Sequence, residues 1–143
     1  MNGTEKRNKN FYLWNAFENG DERMKLEQIG KIVVEFWKLA QSYERSIPLL
    51  PPEHQARTQA QLRFSRNQLK TLLDESRMTL VTFEGRVFQP NLPVTAVNAE
   101  DFDEGSDHLI VDQTIEPAVV HDAHVLLMGK VLLAKGKKDV LGN

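Results

Sequence analysis

Residues 26–47 read LEQIGKIVVEFWKLAQSYERSI and carry an apolar residue at every third or fourth position. The intervals alternate between three and four without interruption, a pattern typical of a helix that packs in a bundle. The positions of this stripe are Leu26, Ile29, Val33, Phe36, Ala40, Tyr43 and Ile47. We therefore predict a long amphipathic helix, with the first six of these residues forming the core of a dimer interface.

The apolar side of this helix is wider than a single partner helix requires. Ile32, Trp37 and Leu39 lie beside the stripe, and such width indicates contact with more than one neighbour. Asp21 is the expected N-cap, and Glu22 follows in the first turn, where an acidic side chain interacts favourably with the helix dipole. We therefore predict a short N-terminal tail over residues 1–20 and a helix that begins at Asp21.

A proline-rich segment, PLLPP at residues 48–52, follows the stripe. Proline cannot continue a helix, and it also restricts the residue before it. Pro52 suits the first turn of a second helix, and residues 53–77 contain neither Gly nor Pro. Because the connection is short, we expect the two helices to form an antiparallel hairpin.

A two-helix hairpin with so broad an apolar side would leave a large patch exposed, and such patches usually mark an interface. One completion is a homodimer in which two hairpins form a four-helix bundle. The other is packing of the hairpin against the C-terminal half of its own chain. We expect the homodimer, and the second alternative stays open.

From Met78 the sequence takes on the composition of β-strands separated by turns rich in Gly, Pro and Asp. The predicted strands are residues 78–83, 94–97, 108–111, 118–121 and 125–133. The predicted fold class is α+β, with a helical hairpin over residues 21–83 followed by a small all-β domain over residues 84–143.

Two clusters in the β half could suggest a metal site. Within EDFDEGSD, residues 100–107, a calcium loop starting at Asp101 would have Gly at its fifth position and Asp112 where an EF-hand needs Glu. His121 and His124 flank Asp122-Ala123, which we interpret as a hairpin turn, and the sequence places no third ligand. A metal- or calcium-binding module is therefore a third-ranked alternative, and no cofactor is expected.

The sequence contains no phosphate-binding glycine loop, nucleophile elbow or suggestive Ser/His/Asp order, so we do not expect an enzyme. The formal net charge of −2 argues against nucleic acid or a membrane surface as partner. There is no cysteine, which excludes disulfides and thiolate metal sites. No signal peptide or membrane-spanning stretch is evident, so a soluble cytoplasmic protein is expected.

The second helix carries a series of basic residues that we interpret as a solvated face, with an acidic partner protein as the alternative. These residues are Arg57, Arg63, Arg66, Lys70 and Arg77.

The order of these parts resembles the GrpE family, the nucleotide exchange factors of DnaK-type chaperones. In the first helix, Glu35, Ser42, Glu44 and Arg45 take the places of similar residues in the family's bundle segment. Residues 85–91, GRVFQPN, resemble the family signature Gly-x-x-Phe-Asp-Pro-Asn. The acidic loop at residues 100–107 lies where members carry a similar turn, and the resemblance covers roughly residues 25–135.

Several positions depart from the family pattern. Gln89 replaces the usual Asp of the signature, and Pro93-Val94 stand where members have His-Glu. Arg77 and Gln61 occupy positions that are usually Gly. The segment before Asp21 also leaves little room for the long N-terminal helix of the family.

The resemblance implies a homodimer that binds a DnaK-type chaperone through its β domain and promotes ADP release. It further implies a domain junction at Gly85, Phe88, Pro90 and Asn91, with Phe88 and Pro90 seating the β domain on the helices. An alternative from another class is a dimeric adaptor that holds a different protein without exchange activity. The altered signature and the short N-terminal segment favour this alternative.

Overall fold

The computed structural model describes residues 2–105 and 108–136, with side chains described from residue 20 onward. Within these residues the chain forms two helices followed by six strands, which confirms the predicted α+β class. Single turns of 3-10 helix lie at Ile47–Leu49 and Ala99–Asp101. The elements are α1 (Asn2–Ser46), α2 (Pro52–Glu75), β1 (Met78–Val81), β2 (Val94–Ala96), β3 (Leu109–Glu116), β4 (Ala118–His121), β5 (His124–Leu127) and β6 (Gly129–Lys135).

The first helix is longer than the sequence pattern predicts. It begins at Asn2 rather than Asp21 and contains 45 residues, which corresponds to about 68 Å at 1.5 Å per residue. The predicted N-terminal tail and the predicted N-cap at Asp21 are therefore wrong. The segment before Asp21 has no proline, and a glycine such as Gly20 weakens a helix by only about 1 kcal/mol relative to Ala. Nothing therefore stops the helix before the proline-rich turn.

The turn between the helices follows the predicted proline chemistry. Helix α1 ends at Ser46, and the backbone N–H of Leu50 donates to the carbonyl of Ile47 at 3.0 Å. Helix α2 then begins with Pro52 in its first turn, where the missing N–H would have had no intrahelical partner.

The two helices pack against each other near this turn. Ala40, Ile47 and Leu62 are buried together, and Arg66 Nη2 lies 2.8 Å from Glu44 Oε2 across the helix pair. The helices therefore form the antiparallel hairpin that the short connection predicts.

The six strands form two three-stranded sheets. The order in the first sheet is β1-β4-β5, and all its pairs are antiparallel. The order in the second is β2-β6-β3, in which β6 is parallel to β2 and antiparallel to β3. The two sheets together are called the β unit below.

The chain crosses between the sheets at two adjacent points. Pro117 separates β3 from β4, and Gly129 starts β6 directly after β5 and Met128. A Cβ atom on Gly129 would lie 2.9 Å from the carbonyl oxygen of Glu116, so only glycine fits this crossing. The predicted strand over residues 125–133 is therefore two strands in different sheets, and the predicted strand over residues 108–111 continues to Glu116.

Two further apolar clusters hold the β unit together and attach it to the helices. Phe83, Val111 and Val131 are buried in the cluster shared by the two sheets. Val33 of α1 and Val119 of β4 are buried in the cluster between the helices and the first sheet. The β unit thus packs on α1, so part of the hairpin's apolar surface is covered by its own chain.

The connection from helices to sheets lies near Arg77 and not at residues 84–91. Helix α2 ends at Glu75 and β1 begins at Met78, with Arg77 between them in the left-handed region at φ 55°. This is the conformation that glycine favours after a helix. The β unit therefore begins at Met78 rather than at residue 84.

The four residues predicted as the domain junction lie in a loop of the β unit. Phe88 packs on the cluster between the sheets, and its backbone N–H donates to the carbonyl of Leu109 at 2.8 Å. Gly85 has φ 80° in the turn before it, and Pro90 and Asn91 are exposed. The prediction that Phe88 seats the β unit on the helices is wrong, because the aromatic side chain contributes to the core between the sheets.

Candidate functional site

The six residues predicted as a dimer core do not share one surface. Val33 and Ala40 are only 7% and 6% exposed and are buried within their own chain. Leu26 packs against the helix–sheet cluster, and Phe36 packs against the hairpin cluster. The remaining two residues, Ile29 and Tyr43, are exposed. The prediction thus combined residues that bind the β unit with residues that face outward.

Four exposed apolar residues of α1, together with the half-buried Phe36, form a heptad stripe of their own. Ile32 and Leu39 are 69% and 70% exposed, and α2 adds the exposed side chain of Leu72. Intervals of three, four, three and four place the α1 residues on one side of the helix. We call Ile29, Ile32, Phe36, Leu39 and Tyr43 the apolar flank.

A shallow cavity of about 170 Å³ lies where the apolar flank meets α2. Phe36, Leu39 and Tyr43 line its α1 wall, and Gln61 and Ser65 line its α2 wall. This concave surface could receive side chains from another helix. In the sequence, the width of the apolar side of α1 indicates this flank, because Ile32 and Leu39 lie beside the stripe that runs from Leu26 to Ile47.

A larger cleft lies between α1 and the β unit. Its volume is about 710 Å³, and we call it the α1–β3 cleft. Its helix wall includes Trp37, Gln41 and Arg45, and its opposite wall includes Thr82, Glu84 and Gln113.

On the β wall of the cleft, side-chain oxygens rather than backbone carbonyls accept hydrogen bonds from two backbone N–H groups. The backbone N–H of Phe83 donates to Thr114 Oγ1 at 3.0 Å, and the N–H of Thr114 donates to Glu84 Oε1 at 3.0 Å. Burial raises the pKa of Glu84, but hydrogen bonds from its own backbone N–H, from Thr114 and from Thr82 outweigh this effect, so the pKa is lowered. Glu84 is therefore a fixed carboxylate in the wall.

Ion pairs connect α1 to its neighbours on either side of the cleft. Lys38 Nζ lies 2.8 Å from Glu35 Oε1 and 3.2 Å from Glu116 Oε1. Hydrogen bonds to Glu35 and then to Glu116 raise the pKa of Lys38. The hydrogen bond from Arg66 lowers the pKa of Glu44. These pairs fix α1 against the end of β3 and against α2.

The basic residues of α2 differ in their surroundings. Arg66 is paired with Glu44, and Arg77 Nη1 lies 3.8 Å from Asp122 Oδ1. Arg57, Arg63 and Lys70 are exposed.

The described residues of the two clusters considered as metal sites lie in turns and at strand ends of the β unit. In the described part of the acidic loop, Asp101 closes a 3-10 turn, whereas Asp107 lies outside the described residues. Asp122 and Ala123, at φ 46° and 64°, form the predicted hairpin turn between β4 and β5. Among residues 2–105 and 108–136, no group of three or more His, Asp or Glu residues is placed to hold a metal ion.

Comparison of the chain with protein-family models, with curated proteins and with solved structures gives no match. No helix within the described ranges combines the length and apolar character needed to cross a membrane. The residues and geometry of the chain itself therefore carry the functional argument.

Proposed function

We propose that this protein is a GrpE-like co-chaperone that acts as a homodimer, binds a DnaK-type chaperone through its β unit and promotes ADP release. The observation that carries the proposal is the apolar flank, in which four of the five side chains stay exposed after the β unit has packed on α1. The order of a long helix, a second helix and a small β unit supports it, since the family that the sequence resembles has the same order. A DnaK-type partner would place the protein in the cytoplasm.

The proposed occupant of the apolar flank is the same flank of a second copy. Heptad-spaced apolar residues favour helix–helix packing of the coiled-coil type, and a two-fold axis pairs identical surfaces. The two hairpins would then form a four-helix bundle, with Leu39 and Ile32 near its centre. The β units would remain on the other side of each α1, where Val33 and Val119 already bind them.

The exchange mechanism requires no covalent chemistry. A β unit that binds the open form of a nucleotide cleft more tightly than the closed form shifts the population toward the open form. A shift from 1:99 to 99:1 requires about a 10⁴-fold preference for the open form. Rigid attachment to α1 through the helix–sheet cluster and through the Lys38–Glu116 ion pair would allow the dimer to hold that state.

The decisive experiment measures release of labelled ADP from a co-encoded DnaK-type chaperone with and without this protein. The proposal expects faster release together with a complex that is detectable by calorimetry. Absence of both effects would reject it. Val125 and Met128 are exposed apolar residues of the β unit, so Val125→Asp and Met128→Asp test whether the β unit makes the contact.

A dimeric adaptor without exchange activity is the second candidate. Gln89 and Pro93, which replace family residues in the signature region, favour this function. The other observation in favour of an adaptor was the short segment before Asp21. That segment is part of a 45-residue helix that begins at Asn2, so its length no longer favours the adaptor. A stable complex with a chaperone that leaves ADP release unchanged would support the adaptor over the exchange factor.

A further inference from the structure

Three basic residues of α2 lie on one side of that helix, and one of them, Arg66, contacts the C-terminal part of α1. Arg63, Arg66 and Lys70 are spaced by three and four residues, so they share one side of the helix. The contact of Arg66 Nη2 with Glu44 Oε2 at 2.8 Å shows that this side borders α1. Arg45 directly follows Glu44 and lines the α1–β3 cleft. We call Arg45, Arg63, Arg66 and Lys70 the basic strip.

Most of the charge on the basic strip is available to a ligand. Glu44 neutralises Arg66, whereas Arg45, Arg63 and Lys70 have no ion pair within 4.0 Å among the residues that the structure describes. Arg45 is exposed and uses its Nε to donate to the carbonyl of Gln41 at 3.3 Å, which leaves its terminal nitrogens for another acceptor.

The cleft next to the strip offers aromatic and amide groups. Trp37 is half-buried in its wall, so one part of the indole is fixed and another faces the cleft. Gln41 and Gln113 add amide groups on the two walls. An extended peptide could place an apolar side chain on Trp37 and hydrogen-bond its backbone to these amides.

We infer that the basic strip and the α1–β3 cleft bind an acidic, extended segment of a partner protein. The acidic residues of the segment lie over Arg45, Arg63 and Lys70, and an apolar residue enters the cleft against Trp37. Lys70 and Arg63 are about 10 Å apart along α2, a span between those of same-face carboxylates two and four residues apart in an extended chain, which are about 7 and 13 Å.

Acidic residues of the chain itself fix the orientation of this segment. Glu84 lies in the β wall of the cleft, and Asp74 lies one turn beyond Lys70 on α2. Both would repel carboxylates, so the acidic part of the segment remains between them, over the strip. The neutral part enters the cleft, where Glu84 can accept backbone N–H groups.

The basic strip lies on the two helices, apart from the apolar flank and from the strands of the β unit. Gln41 follows Ile32 by nine residues, which places it half a turn around α1 from the apolar flank. A dimer through that flank would leave the basic strip accessible, and contacts of the β unit with a chaperone would not need it. The inference therefore does not depend on exchange activity.

The test measures binding of a fluorescein-labelled dodecapeptide of alternating Glu and Ser with one central Leu, at physiological ionic strength. The control peptide has Gln in place of every Glu. A Trp14→Phe background leaves Trp37 as the sole tryptophan, since the chain has two. The inference expects saturable binding of the Glu peptide, a change in Trp37 fluorescence, and weaker binding as salt rises.

Charge-reversal variants then locate the site. Arg63→Glu and Lys70→Glu should each weaken binding by about fivefold or more, and Arg45→Gln should weaken it by less. Arg57→Glu is the matched control, because it makes the same charge change about 120° around α2 from Arg63. Equal weakening by Arg57→Glu, equal affinity for the Gln peptide, or no binding at millimolar peptide would each overturn the inference.

Discussion

Gly30 of α1 lies against Leu127 of β5 so closely that a Cβ atom at residue 30 would be 3.1 Å from Leu127 Cδ1. Val119 Cγ1 would be 3.5 Å away. The helix therefore meets the first sheet at a point where its own backbone is the contact surface. Glycine weakens a helix, so its presence at this crossing indicates that close approach of α1 to the sheet outweighs helix propensity here.

Replacing Gly30 by Leu should lower the free energy of unfolding by about 1–3 kcal/mol, because the larger side chain overpacks the contact with Leu127. Urea denaturation measures the effect. Gly20 is the matched control on the same helix, since a Cβ there meets nothing within 4 Å. Gly20→Leu makes the same substitution and should raise stability by about 0.5–1 kcal/mol, because Leu favours a helix more than Gly does. Equal effects of the two substitutions would show that α1 does not cross the sheet at Gly30.

The turn between β4 and β5 should be stabilised by Ala123→Gly. Ala123 has φ 64°, in the left-handed region that costs a non-glycine residue roughly 1 kcal/mol or more, and Asp-Gly is a preferred sequence for such a turn. We expect a gain of about 1 kcal/mol in urea denaturation. Gly85→Ala is the reverse test at φ 80°, where no atom lies within 4 Å of the added Cβ. It should lose a similar amount, and a stabilised Gly85→Ala variant would contradict the turn geometry.

The sequence predicts those elements that depend on local chemistry. Prolines locate the turn between α1 and α2, and Asp122-Ala123 locates a hairpin whose strand β4 has the predicted bounds, Ala118–His121. In each case neighbouring residues alone determine the conformation.

Features that depend on distant contacts are not predicted. The loop with Phe88 has the composition of a domain junction, but its aromatic side chain joins the core between the sheets. Asp21 resembles an N-cap, yet the helix continues through it to Asn2. The cleft beside Trp37 also has no sequence signal, since its walls come from α1, from the segment after β1 and from β3, which lie far apart in the sequence.

Stability should decrease in acid through two carboxylates with lowered pKa values. The hydrogen bond from Arg66 lowers the pKa of Glu44 from 4.5. For Glu84, burial raises the pKa, but hydrogen bonds outweigh this effect and the pKa is lowered from 4.5. A lowered folded-state pKa gives a contribution that is fully present above the unfolded value and is lost as pH falls through the folded value.

Urea midpoints measured from pH 7 down to pH 3 check this dependence. Wild-type stability should decrease below about pH 4.5, and Glu44→Gln should make the decrease smaller while lowering stability at pH 7. Glu75→Gln, at the exposed end of α2, is the matched control and should follow the wild type. An unchanged acid dependence in Glu44→Gln would mean that the Arg66 contact does not persist in solution.

Leu39→Asp should convert the proposed homodimer into a monomer that remains folded. Leu39 is 70% exposed in the single chain, so the charge is solvated in the monomer and is buried only when two apolar flanks meet. Light scattering at micromolar concentration, together with circular dichroism, measures both properties.

Phe36→Asp should also split the dimer, but Phe36 contacts the hairpin cluster, so this variant should lose stability as well. Met24→Asp is the matched control, because Met24 is 65% exposed and lies off the apolar flank. A monomeric wild-type protein, or a Leu39→Asp variant that stays dimeric, would show that the flank does not mediate self-association.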